Sequence, residues 1–145
     1  MAPQSHRELK VWQKAIDLAC GVYALTRRMP KEETYRLVGQ VIRCSSSIAA
    51  NIAEGNARGT RRDYAHFVRI ARGSAAELET FLIMIRRLQL APVEQIDPLL
   101  DQTDEVSRML NTLRLRLKGP ADAPHPSALI PCQTPRRLQV RRTVH

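Results

Sequence analysis

Four segments of this chain repeat their apolar residues at alternating steps of three and four, and nothing else in the sequence constrains the fold as tightly. Leu9, Trp12, Ile16, Ala19, Tyr23 and Thr26 step by 3, 4, 3, 4 and 3. Val38, Val41, Ser45, Ile48 and Ile52 follow the same rule, as do Tyr64, Phe67, Ala71, Ser74, Leu78, Phe81, Ile85 and Leu88. A fourth run is Ile96, Leu99, Thr103, Val106, Leu110, Leu113 and Leu117. This alternation keeps one stripe of a helix on one face and predicts coiled-coil-like packing at shallow crossing angles.

The breaks between runs are short. Pro30 can open the second helix, with Glu32 and Glu33 in its first turn favourable to the helix dipole. Gly55 can end that helix, and Thr60 with Asp63 three residues on reads as an N-cap for the third. Pro92 separates the third and fourth helices, and Gly119-Pro120 stops the fourth. Short connections force antiparallel neighbours, so the expected fold is all-α, an up-down-up-down four-helix bundle over residues 1–118. Residues 119–145 hold five of the nine prolines and show no apolar period, so they are expected to form a disordered tail. That tail carries two arginine pairs, Arg136-Arg137 and Arg141-Arg142.

Composition bears on partners. The formal net charge of +9 comes mostly from arginine and points to a polyanion such as RNA or DNA. Cys20, Cys44 and Cys132 are odd in number and form no C-x-x-C, which suits a reducing cytoplasm and argues against a disulfide framework or a structural zinc. The first ten residues, MAPQSHRELK, lack the apolar core of a signal peptide, and no run of about 18 apolar residues exists. The expectation is a soluble, cytoplasmic protein with no membrane partner.

No constellation for catalysis stands out, and the chain reads as non-enzymatic, without cofactor or metal. Asp63-x-x-His66 has the carboxylate–histidine spacing of di-metal bundles, which need a second such pair and further glutamates. Cys20 and Cys44 read as buried small hydrophobes. Charge gives a stronger signal. Arg61, Arg62, Arg69, Arg72, Arg86 and Arg87 fall in an arc of about 120° on the third helix, over ~39 Å of its length. Such a stripe suits phosphate backbones, though a solvated face reads the sequence equally well.

Beyond its core stripe, the second helix has a polar stripe of Arg36, Gln40, Arg43, Ser47, Asn51 and Glu54, roughly opposite the core. Between them lies a flat flank of Ile42, Ser46, Ala49 and Ala53, open to close approach by a helix of the bundle or of a neighbouring subunit. Helix 1 carries a second apolar stripe, Val11, Ala15, Leu18, Val22, Leu25 and Met29, more than one seam requires. Together these predict a homo-oligomer.

LKVWQKAIDLA (residues 9–19), SIAANIAEG (47–55) with Arg58, and Phe67 with IARGSAAELET (70–80) resemble the four helix bundle protein family. That family includes proteins encoded in intervening sequences of large-subunit ribosomal RNA genes. It also resembles the accessory variability determinant of diversity-generating retroelements. The resemblance covers residues 9–90, and the fourth helix by pattern. It implies a homopentameric ring and, from the retroelement protein, nucleic-acid binding and a reverse transcriptase partner. It also favours reading Arg43, Asn51, Glu54 and Glu77 as a structural polar network. Ala49 stands where the family has proline, Ile42 where it has a second basic residue, and Gln89 where it has glycine. Two functions remain open: an oligomer that binds nucleic acid through the arginine face, and a ring-shaped adaptor for a protein partner.

Overall fold

A computed structural model describes residues 5–119. The expected Pro- and Arg-rich tail lies outside the described residues. Four α-helices form the body: α1 (Lys10–Thr26), α2 (Gly39–Ala57), α3 (Arg61–Arg87) and α4 (Val93–Leu117). Pro30 opens a 3-10 turn at Lys31–Glu33 and a π turn at Thr34–Val38, through which the chain enters α2.

The register of the contacts fixes the directions. Ser47 meets Ser74 and Arg43 meets Glu77, so α2 and α3 run antiparallel. Arg61 meets Arg116 and Arg86 meets Asp97, so α3 and α4 do too. Lys14 pairs with Glu105 at 2.8 Å, and Gly21 lies against Leu99, which makes α1 antiparallel to α4. The order is up-down-up-down, with α1 closing on α4. The hydrogen bond from Lys14 holds the Glu105 carboxyl below the usual carboxylate range.

Caps follow from the residues at the ends. Thr60 Oγ1 accepts from the Asp63 backbone N–H at 3.1 Å, as the N-cap spacing predicts. At the other end of α3, Leu90 N–H donates to Ile85 O and Gln89 N–H to Arg86 O, both at 3.1 Å. These two bonds form a Schellman motif, which requires a left-handed residue at Gln89, and φ there is +55°. The glycine expected at this position would adopt it without strain.

The core holds the second, third and fourth seams with adjustments, and corrects the first. On α1 the buried stripe is Val11, Ala15, Leu18, Val22, Leu25 and Met29. Leu9, Trp12 and Ile16 pack half-buried at the edge, and Tyr23 is 53% exposed. Both stripes have helical spacing, so periodicity cannot rank them. The side chains with polar tips went to the rim, where Trp and Tyr can stay wet at one end. On α3, Ala65, Val68, Ala75 and Leu82 join the buried set, while Leu88 is exposed.

Gly55 does not end α2. It is buried inside the last turns, and an added Cβ there would lie 2.8 Å from Phe67 Cβ and 3.3 Å from Tyr64 Cα. The turn that follows belongs to Gly59, at φ +80°. Nor does the polar stripe of α2 lie opposite the core: Ser47 and Asn51 are half-buried at the α3 seam. Ser47 Oγ and Ser74 Oγ are 2.9 Å apart, and Asn51 Nδ2 donates to Ser47 Oγ at 2.9 Å. The flat flank is used within the chain at Ala49, which is buried. Three core positions are polar, yet none is left unbonded. Ser45 and Thr103 donate to Ile42 O and Leu99 O of their own helices, and Ser74 pairs with Ser47.

Two substitutions should move stability in opposite directions. Gly55→Ala gains about 1 kcal/mol of helix propensity but overpacks a site costing roughly 1–3 kcal/mol, so the melting temperature should fall. Gln89→Gly removes about 1–2 kcal/mol of left-handed strain, offset in part by glycine's greater freedom when unfolded, so it should rise. Thermal melts by circular dichroism of the two variants beside the parent check both signs.

Candidate nucleic-acid interface

The six arginines of α3 stand on one rigid helix of 27 residues but in three environments. Arg61, in the first turn, donates through Nη2 to the carbonyl of Arg116 in the last turn of α4. That bond caps a helix C-terminus, where a cation is favourable, and engages one face of the guanidinium. Arg86 pairs with Asp97 of α4, Nε to Oδ1 at 3.2 Å. Arg62, Arg69, Arg72 and Arg87 are exposed and bond to no described residue.

Local sequence explains why these four are unpaired. A surface cation on a helix commonly finds a carboxylate three or four residues away, as Arg58 finds Glu54 at 2.8 Å and Arg108 finds Asp104 at 2.9 Å. No acidic residue stands at either spacing from Arg62, Arg69, Arg72 or Arg87. Arg69 and Arg72 are instead three apart, an arrangement of like charges that slightly destabilises a helix. Of the four, only Arg87 favours α3 itself, as a cation in its last turn.

Topology then divides the stripe. Beside the C-terminal end of α3 stands Asp97 of α4, with Asp101 and the Arg108-paired Asp104 further along α4, and Glu79 interrupts α3 itself. Beside the N-terminal half stands the end of α4, with Arg114, Arg116 and Lys118. Lys10 of α1 joins the same end, since Lys10 and Arg116 line one groove of about 290 Å³ with Leu9, Val11, Met109, Thr112 and Leu113. One end of the bundle is thus strongly basic, and the other mixes signs. Arg114, Arg116, Lys118 and Lys10 show no common spacing in the sequence. Only the antiparallel register brings them beside Arg61 and Arg62.

The polar residues read as a network do not form one unit. Arg43 Nη2 bonds both Glu77 and Gln40 across and along the α2–α3 seam. Asn51 belongs to the separate Ser47–Ser74 cluster. Glu54 pairs with Arg58, whose guanidinium lies 5.2 Å from the centre of the Phe67 ring. The Arg43–Glu77 pair is more than a third exposed on both sides, so it contributes at most about 1 kcal/mol.

His66 is exposed and edge-on to Phe67, 5.2 Å between ring centres. Among the described residues, no group of three or more His, Cys, Asp or Glu is placed to hold a metal ion. No helix among them is long and apolar enough to cross a membrane. The two described cysteines differ, against the expectation that both are buried. Cys20 is exposed, while Cys44 is buried and its Sγ donates to Val41 O. Burial, reinforced by the Glu77 charge and opposed by Arg43, pushes the Cys44 thiol up to about 11.

Residues 7–112 match the model of the 23S rRNA-intervening sequence protein family. The crystal structure of a protein with unknown function from the S23 ribosomal protein family of Bacteroides thetaiotaomicron is similar in fold, with a TM-score of 0.65. The similarity covers 72% of this chain and 97% of that one at 23% identity, and at that identity the likeness bears on fold alone. No curated protein matches the chain.

The thiol environments set a reactivity test. In a Cys132→Ser background at pH 8, iodoacetamide should alkylate Cys20 and spare Cys44 until denaturant is added, because the thiolate is the nucleophile. Peptide mass mapping before and after unfolding reads both sites.

Proposed function

The chain belongs to the 23S rRNA-intervening sequence protein family, and from that premise we propose that it is a non-enzymatic helical bundle that binds RNA, or other nucleic acid, through its arginine face. One observation carries the reading: Arg62, Arg69, Arg72 and Arg87 are held on a single rigid helix with no partner among the described residues. Guanidinium groups present paired donors that match phosphate oxygens, and they stay charged at any physiological pH. The basic end formed with Arg114, Arg116, Lys118 and Lys10 extends the positive field around Arg62. The face of α3 offers little for base stacking: Tyr64, Phe67 and Phe81 are half-buried against the bundle, and His66 is the one exposed ring among them. Contacts to phosphate position a nucleic acid without reading its bases, so binding is weakly sequence-specific. Arg61 and Arg86 contribute less than the other four, because α4 engages them.

Self-association is part of the proposal, with the pentamer implied by resemblance as the favoured count. The second stripe of α1 supplies the core, so it no longer argues for an interface. The rim of Trp12, Ile16 and Tyr23 takes that place, half-buried to exposed along one edge. In an assembly the arginine face would repeat once per chain, and small contributions per site would multiply. Light scattering at micromolar concentration should give a mass above that of one chain.

The binding test is a titration of labelled RNA at several salt concentrations. The parent protein should bind unrelated sequences about equally, with log affinity falling linearly in log salt. Replacing Arg69 and Arg72 by Ser should weaken binding and shallow that slope by about 1.4–1.8, the effect of two lost phosphate contacts. A parent protein that fails to bind at low salt would favour an adaptor role for a protein partner.

A further inference from the structure

Near its midpoint α3 contains a glycine for which the bundle has no use. Gly73 is exposed, and a side chain placed there would meet no heavy atom within 4 Å. Gly55 is different, since Phe67 Cβ at 2.8 Å leaves no room for a Cβ, and at Gly21 a Cβ would push on the tip of Leu99. Gly73 also lacks the positive φ of Gly59, so no turn explains it. A helix interior disfavours glycine more than any residue except proline. An open helical glycine nevertheless offers bare backbone to a body approaching from outside.

The surroundings of Gly73 say which body. Arg69 lies one turn before it and Arg72 directly precedes it, both exposed and unpaired. Ala76 lies one turn after, also exposed and small. Arg69, Gly73, Ala76 and Thr80 share an arc of about 60°, a strip ~16 Å long. Arg72 flanks the strip. Glu77, the nearest carboxylate, is occupied by Arg43 at the α2 seam. Nothing larger than the Ala76 methyl rises from the strip between the two arginines and Thr80. A neighbouring copy in a ring would present a different face here, yet its net charge of +9 has the same sign as these arginines. A phosphodiester strand brings the opposite charge.

We infer that Gly73 and Ala76 form the floor, and Arg69 and Arg72 the phosphate clamp, of a seat for one sugar–phosphate strand on the outer face of α3. This rests on the phosphate-binding role proposed above for these arginines and adds that the strand lies against the helix backbone. Close approach brings phosphate oxygens within reach of both guanidiniums at once, where paired charge-assisted bonds are strongest. Either a single strand or one strand of a duplex presents this chemistry.

The test is Gly73→Leu, with Gly73→Ala as a milder version, against the parent and the Arg69→Ser/Arg72→Ser protein. Single-stranded and double-stranded RNA are titrated separately at fixed low salt and across a salt series. Leu and Ala both favour helix over Gly, so thermal stability should hold or rise in both variants. The seat requires that Gly73→Leu weaken binding about tenfold, with Gly73→Ala between it and the parent and the salt slope unchanged, because no charge is lost. Loss confined to one RNA form assigns the seat to that form. If Gly73→Leu binds as tightly as the parent while the arginine variant is impaired, the seat is wrong and the phosphate reading stands. If the parent binds neither RNA, both fall. A lower mass by light scattering for Gly73→Leu would make this face a contact between copies and overturn the seat.

Discussion

The close contact between α2 and α3 is the constraint on which the rest of the bundle depends. It is the most extensive pairing of the four, and small residues on α2 let α3 come close. Gly55 admits Phe67 and Tyr64, while Ser47 and Ser74 meet through their hydroxyls. With the backbones this near, any larger side chain must displace a neighbour helix. The serine hydroxyls and the Asn51 amide trapped there satisfy one another, while the buried Tyr64 hydroxyl is left without a hydrogen-bond partner among the described residues. The rotation of α3 about its own axis is set at this seam, and so is the direction in which its arginines point.

That rotation has an electrostatic result. With Ser74 and Glu77 turned toward α2, the opposite shoulder of α3 meets α4 at Arg61 and Arg86, and the remaining arginines are left outside. Antiparallel packing then decides their neighbours. The C-terminal end of the stripe meets Asp97 of α4, and the N-terminal end meets the basic terminus of α4. A charge pattern that looks uniform along one helix becomes polarised along the bundle. Arg62, Arg69 and Arg72 are left exposed and pair with no carboxylate among the described residues.

Residue spacing alone made the four helices, their breaks and the N-cap at Thr60 legible, because helix periodicity and capping are local. Family resemblance marked Gln89 as standing where glycine is usual, but its left-handed backbone emerged only in the structure. Other features could not be read locally. Two apolar stripes on α1 satisfied the same spacing, and only the choice between them of a core made from branched aliphatics and alanine settled which faced inward. Gly55 looked like a terminator because a glycine after an apolar run commonly is one; its reason is Phe67, on another helix. Cys20 and Cys44 are alike in sequence and differ only in which face of a helix meets a neighbour.

The sequence by itself determined that this chain is a four-helix bundle with an arginine-rich third helix, since turn signals, heptad-like spacing and missing carboxylate partners are all properties of neighbours in the chain. Tertiary structure alone decided which of those arginines are free. Whether a guanidinium meets a carboxylate or a helix end on α4 depends on positions 11 to 55 residues away in the chain, brought together by antiparallel register. Charge acts through space at a few ångströms, and that distance is not written in the order of the residues.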